Sequence, residues 1–391
     1  TVSLSIALVT SLPAIEPQDW IVQPSATLVL DGIADAKRSD DAAIAANYAT
    51  KYGAVLGYAA LGASSETDRL GLWSGGTTFV SVEAYRARMP DKDLPPRVFG
   101  ASDIEAENAV QLRELWYEQR MFDERIRVIV GRQYGECEFG FTETAGDFPN
   151  AAFPLNPTIT MPAYPDPALG IAVIVTPMPW LQLGGGFWAP PDEDYVGLVE
   201  ATVSSDLLRI GDTVAKLGYW RHESTVDYLV DASVTGLREA SNNWGVYGSL
   251  DQTVPFPVGR ETALFGQVGI TPEARNEIAR FYSGGIVLTG IFEELRPEDS
   301  FGFAIAHAAE GGSLRVDTES TESEMSYEWY WRFAVTDWLG VTAAMNYSTR
   351  SGVWATGDGT PSPSSQLTVG LRLSAVFNTC LLYTSDAADE E

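Results

Sequence analysis

The sequence predicts an all-β fold, a transmembrane antiparallel β-barrel of about 16 strands. Three observations lead there. First, Gln366–Phe377 alternates Leu367, Val369, Leu371, Leu373, Ala375 and Phe377 with Gln366, Thr368, Gly370, Arg372, Ser374 and Val376. A period of two sends one set to one face and the mostly polar or small set to the other. Second, the pattern returns along the chain in hairpins with a Trp at the turn. Third, the chain is rich in aromatics, with 11 Trp and 16 each of Tyr and Phe. It nevertheless has no apolar run of the roughly 18 residues a membrane helix needs.

The bulk numbers narrow the class. A length of 391 residues would serve several ordinary domains, but a single barrel also consumes it, because barrels grow by adding strands. The formal charge of −28 argues against nucleic acid, which needs Lys and Arg for its phosphates. It also argues against a basic membrane-surface patch; solvated acidic loops account for it. Val2–Leu12 reads as the apolar core of an export signal, so residues 1–14 are expected to be a signal-peptide remnant. Residues 15–377 are expected to form the barrel. Residues 378–391 have no period and resemble a translated library adapter, a non-native tail. Cys137 is then the one native cysteine, and no internal disulfide is expected.

The elements follow in order. Strand candidates are Ala26–Ala34, Gly53–Gly62, Thr77–Arg88, Val110–Met121 and Arg125–Arg132. Next, Leu169, Ile171, Val173 and Val175 alternate outward before a turn at Thr176-Pro177-Met178-Pro179. Trp180-Leu181 starts the return strand. Val196–Val203, Thr213–His222, Asn243–Gln252, Ala263–Ile270, Tyr282–Phe292 and Phe301–Ala309 come after it. A second hairpin repeats the first: Trp329, Trp331, Phe333 and Val335 alternate, Thr336-Asp337 turns the chain, and Trp338-Leu339 returns it. A Trp at the foot of a strand suits a membrane–water interface, where the ring is apolar and the indole N–H wants a partner. Long polar connections are expected at Arg275–Arg280 and Glu310–Glu324, opposite the short turns. Ala42–Ala49 is either a short helix or loop.

Several segments resemble the carbohydrate-selective porins of Gram-negative outer membranes, the OprB family. They are Arg69–Val80 (RLGLWSGGTTFV), Leu112–Gln119 (LRELWYEQ) with Val128–Arg132 (VIVGR), and Tyr164–Gly170 (YPDPALG). Thr262–Asn276 (TALFGQVGITPEARN), Ala334–Leu339 (AVTDWL) and Thr368–Phe377 (TVGLRLSAVF) continue the series in order. Cys137-Glu138 departs from the small polar stretch expected there, and the acidic content is higher. The resemblance implies a monomer or homotrimer in the cell outer membrane, surrounded by lipid and passing carbohydrates by passive diffusion.

In such a channel the chemistry is selection at a water-filled constriction lined by charged and aromatic side chains. Strand parity nominates the lining. With Val80, Val82 and Ala84 outward, Ser81, Glu83 and Tyr85 face the lumen. With Leu115 and Tyr117 outward, Glu114, Trp116, Glu118 and Arg120 face it. Arg125, Arg127, Arg332 and Arg372 complete the inner set. Carboxylates accept from sugar hydroxyls, guanidinium groups donate to them, and a pyranose face can lie on Trp116.

Catalysis is not supported. The two histidines, His222 and His307, read as solvated side chains without metal partners. Gly184-Gly185-Gly186 opens no helix and is no phosphate loop. Glu114 and Glu118 on one strand lie about 13 Å apart at about 3.3 Å per residue. Glycosidase carboxylates stand about 5–9.5 Å apart. No cofactor is expected. The alternative is a secreted all-β sugar-binding protein or glycan-active enzyme, a sandwich or propeller with a dry centre and a wettable exterior.

Overall fold

The computed structural model describes residues 21–35, 53–88, 99–191, 194–205, 211–223, 226–227, 239–240, 242–255, 258–292, 294–311, 323–349 and 365–377. Both chain ends and Ala42–Ala49 lie outside the described residues.

The strands are β1 (Gln23–Asp35), β2 (Gly53–Glu66), β3 (Gly76–Arg88), β4 (Ala109–Met121), β5 (Ile126–Gln133), β6 (Ala168–Met178), β7 (Leu181–Ala189) and β8 (Val196–Ser205). They continue as β9 (Thr213–His222), β10 (Asn243–Val254), β11 (Glu261–Ile270), β12 (Ile278–Thr289), β13 (Ser300–Glu310), β14 (Ser323–Thr336), β15 (Leu339–Thr349) and β16 (Ser365–Phe377). Each pairs antiparallel with its sequence neighbours. The barrel closes where β1 meets β16, from Ala26 opposite Phe377 to Asp35 opposite Thr368. A two-residue ribbon, Val226–Asp227 with Glu239–Ala240, stands apart from the barrel.

All sixteen strand candidates have a counterpart in the closed barrel. The outer face carries the apolar side chains: Val110, Leu217 and Leu61 are 73%, 64% and 62% exposed. Hydrocarbon solvates such a face and water does not. A dry-centred sandwich or propeller is therefore not the architecture. Among the described residues no helix is long and apolar enough to cross a membrane, and the crossing is made by strands.

The short-turn end is closed by Pro179-Trp180 and Asp337-Trp338, with Trp338 stacked on Phe377 at 4.8 Å. Three expectations change. The connection placed at Arg275–Arg280 is shorter, because β12 already begins at Ile278 and Arg280 lies within it. The outward charge of Arg280 had hidden the alternation there. Strand β5 begins at Ile126, so Arg125 falls in the exposed β4–β5 turn, where Phe122, Asp123 and Glu124 all take positive φ. Arg125 is thus at the barrel rim and not on the inner wall. His222 is buried on the inner face of β9 rather than solvated; His307 is half-buried outside, its ring 6.3 Å from Tyr282.

Candidate functional site

The inner wall is not an open tube. The connection after β5, residues 134–167, folds into the lumen and carries two short 3-10 turns, Gly135–Cys137 and Glu143–Ala145. Its backbone is tied to strands across the barrel. Gly140 N donates to Glu200 on β8 at 2.9 Å, and Thr144 N to Asp251 on β10 at 3.0 Å. Asn150 N donates to Glu328 on β14 at 3.2 Å. Lys216 Nζ and Trp220 Nε1 on β9 donate to the carbonyls of Phe141 (2.7 Å) and Thr158 (2.9 Å). Wall side chains thus satisfy loop backbone groups that would otherwise be buried unpaired.

Aromatic packing does the rest. Phe148 sits 4.7 Å from Tyr330, 5.0 Å from Phe153 and 5.7 Å from Phe265, ring centre to ring centre. Phe139 meets Trp188 edge-on at 5.9 Å. The glycines of β7 explain themselves here. A Cβ on Gly184 would lie 2.5 Å from the Phe139 ring, and one on Gly186 would lie 2.0 Å from the Trp188 ring. They clear the wall for this packing.

Facing the loop is the charged wall of β3–β5. Glu83, 1% exposed, accepts from Tyr134 (2.6 Å), Tyr85 (2.8 Å), Gln111 (2.8 Å) and Tyr58 (3.3 Å). Gln111 also donates to the Tyr85 hydroxyl and to the Pro165 carbonyl. Arg113 stands 3.4 Å from Glu114 and 3.7 Å from Glu83, its guanidinium over the Tyr134 ring at 5.7 Å. Glu118 receives Arg120 at 2.6 Å and Arg127 at 2.7 Å; Arg127 also reaches Glu138 of the loop at 3.2 Å. Trp116 donates to Glu114 at 3.2 Å and lies 5.2 Å from Phe79.

A second pair of attachments holds the segment after β3. Arg372 grips Asp31 across the β1–β16 seam at 2.8 Å and also binds Asp103, while Ser102 donates to Asp31 at 2.6 Å. Arg332 stands 3.5 Å from Asp147, which accepts from Ser300 at 2.8 Å.

The ten nominated residues therefore separate into groups. Glu83, Tyr85, Glu114 and Glu118 are buried behind the lining. Arg372 is nearly covered. Trp116, Arg120, Arg127 and Arg332 remain reached by solvent, and Arg125 is at the rim. Sequence parity missed Gln111 and Arg113. The β3–β4 register slips between Ser81 and Val82, so Ser81 faces Glu114 while Val82 faces Leu112. That bulge returns Gln111 to the inner face and lets Arg113 reach Glu83. It also missed the loop acids Asp103, Asp147, Glu138 and Glu143. The available signal was four phenylalanines (139, 141, 148 and 153) within fifteen residues between two strand candidates. Burial, outweighing the nearby Arg127 guanidinium, holds the Glu138 carboxyl above its ordinary range.

A sixteen-stranded barrel with an apolar exterior and an in-folded, charge-faced loop defines a diffusion porin. Residues 50–377 match the carbohydrate-selective porin, OprB family, and the chain belongs to that family. It is a channel of the outer membrane for carbohydrates and not an enzyme. Among solved structures, Pseudomonas putida OprB at high pH aligns with a TM-score of 0.80 at 17% identity, over 93% of this chain and 96% of that one. Pseudomonas aeruginosa OccK11 (OpdR) aligns at 0.51 and 10% identity, over 91% and 96%. A loop-deleted OmpT of Vibrio cholerae aligns at 0.53 and 9% identity, over 91% and 99%. No curated protein matches the chain.

Proposed function

We propose that sugars are selected where the in-folded loop faces the inner wall, by Arg120, Arg127 and the half-buried ring of Trp116 on β4–β5 and by Arg332 on β14. The acids Asp103, Asp147 and Glu143 of the two long connections supply acceptors. Glu83, Glu114 and Glu118 act behind them, holding the guanidinium groups and the loop in place. The supporting observation is Glu118: one buried carboxylate aligns two arginines side by side on the inner wall. Fixed forks of this kind meet sugar hydroxyls without first losing rotamer freedom. The outer face meets outer-membrane lipid. Each chain closes its own barrel, so a monomer is a complete pore and a homotrimer would carry three.

Planar-bilayer recordings test this reading. Trp116→Ala and Arg120→Ala should each weaken sugar block of the ionic current roughly fivefold, the equivalent of one lost contact of about 1 kcal/mol. Unchanged block in both variants would move the selective contact elsewhere.

A further inference from the structure

An arginine on the outer face of a barrel is costly at the membrane midplane and tolerated near its edge. The register of β9–β12 shows where that edge runs. Tyr219, Val246, Ile270 and Arg280 form one row across the four strands. One pair closer to the barrel middle, Leu217, Gly248, Val268 and Tyr282 form another. One pair farther out, Arg221 stands opposite Trp244. The apolar belt thus ends in guanidinium groups at the rim formed by the long connections, which faces the cell exterior in such barrels.

The rim is more ordered than scattered charge. Arg221 donates to the Asn242 side chain at 2.6 Å, and Arg275 donates to the Asn242 carbonyl, so two guanidinium groups converge on one residue. Tyr219, one pair nearer the barrel middle, stacks at 6.5 Å on Trp244, which stands opposite Arg221. Arg280 is exposed, and its side chain makes no hydrogen bond or ion pair among the described residues. Glu223 stands 3.7 Å from Arg221 and is itself 59% exposed, a weak neutraliser. Glu273 and Glu277 are also exposed on this rim. In a chain of formal charge −28, three arginines at one edge of the apolar face are not a general basicity.

We propose that Arg221 with Arg275, and Arg280 three strands along the rim, hold the phosphates of outer-leaflet lipid headgroups, with Tyr219 and Trp244 against their apolar part. The guanidinium fork matches phosphate oxygens two at a time, and aromatic rings favour this interfacial depth. The proposal rests on the outer face meeting lipid, as set out above, and is independent of which residues select sugar.

The test is native mass spectrometry of the full chain released from detergent with diphosphoryl lipid A, fully dephosphorylated lipid A, or inorganic phosphate. The diphosphoryl lipid should stay bound. Arg221→Gln with Arg280→Gln should lower its retention roughly tenfold, with single-channel conductance and sugar block unchanged. Equal retention by the double variant, or of the dephosphorylated lipid, would overturn the proposal. So would displacement by inorganic phosphate at equal concentration, which would make this a free-anion site. Should the double variant not form a barrel, the comparison of the two lipids on the unaltered protein still decides.

Discussion

Two stretches of inner wall hold the same loop by opposite means. On β11–β14, Phe265, Phe281 and Tyr330 receive Phe148 and Phe153 in a dry cluster. On β3–β5, Glu83, Arg113 and Arg127 receive it through a hydrogen bond, a cation–π contact and an ion pair, with Glu114 and Glu118 pairing the arginines from behind. The dry cluster is non-directional and gains from area removed from water. The polar wall adds little net energy per bond, but it fixes the position of each group because an unpaired buried charge is expensive. The difference assigns the tasks: adhesion on one side, alignment of the wall charges on the other.

The adhesive side predicts the largest effect. Phe148 is fully buried and touches three rings. Phe148→Ala should cost about 3–5 kcal/mol where the loop is seated. The expected readout is a rise in single-channel conductance together with protease cleavage between residues 139 and 155. A variant with native conductance and a protected loop would show that the polar wall holds the loop alone.

The same contrast explains what the sequence disclosed. Alternation on β16, β14 and β6 was legible because one face is apolar and exposed and the other meets polar partners, so composition repeats every second residue. The loop was illegible because Phe139, Phe148 and Phe153 pack against strands far away in sequence and need no period of their own. On β4, parity failed at a single point. The bulge at Arg113 breaks the count of two, and no local residue pattern announces it. Glu83, Glu114 and Glu118 lie on the inner face, but only the loop over them shows that they are buried. Arg125 shows the opposite error, a charge assigned to a strand that starts one residue later.

On the aligning side, Glu83→Gln sharpens the comparison. The amide nitrogen cannot accept from the tyrosines and Gln111 that converge on the carboxylate. The loss should be about 1.5–3 kcal/mol, less than for Phe148→Ala, because the aromatic cluster still grips the loop. Sugar block should weaken while mean conductance stays near the native value, measured in the same bilayers. A conductance jump as large as that of Phe148→Ala would erase the division of tasks.

The smallest effect is a pH dependence at the loop base. Glu136 accepts from Tyr164 N at 2.9 Å. Burial pushes its carboxyl up to about 7, with Asp103 and Glu114 adding to the rise and Arg113 and the Tyr164 N–H opposing it. A raised carboxyl favours the folded loop while it is protonated. That contribution is full below the ordinary carboxylate range, falls as pH climbs through it, and is gone above about 7. Even one unit of such a rise is worth about 1.4 kcal/mol. Current noise from loop motion should therefore increase between pH 5 and pH 8, a window of about three units spanning the rise. Glu136→Gln, neutral throughout, should keep the noise flat across that window. Noise that rises equally in the variant would place the titrating group elsewhere, with Glu138 beside Arg127 the next carboxyl to replace.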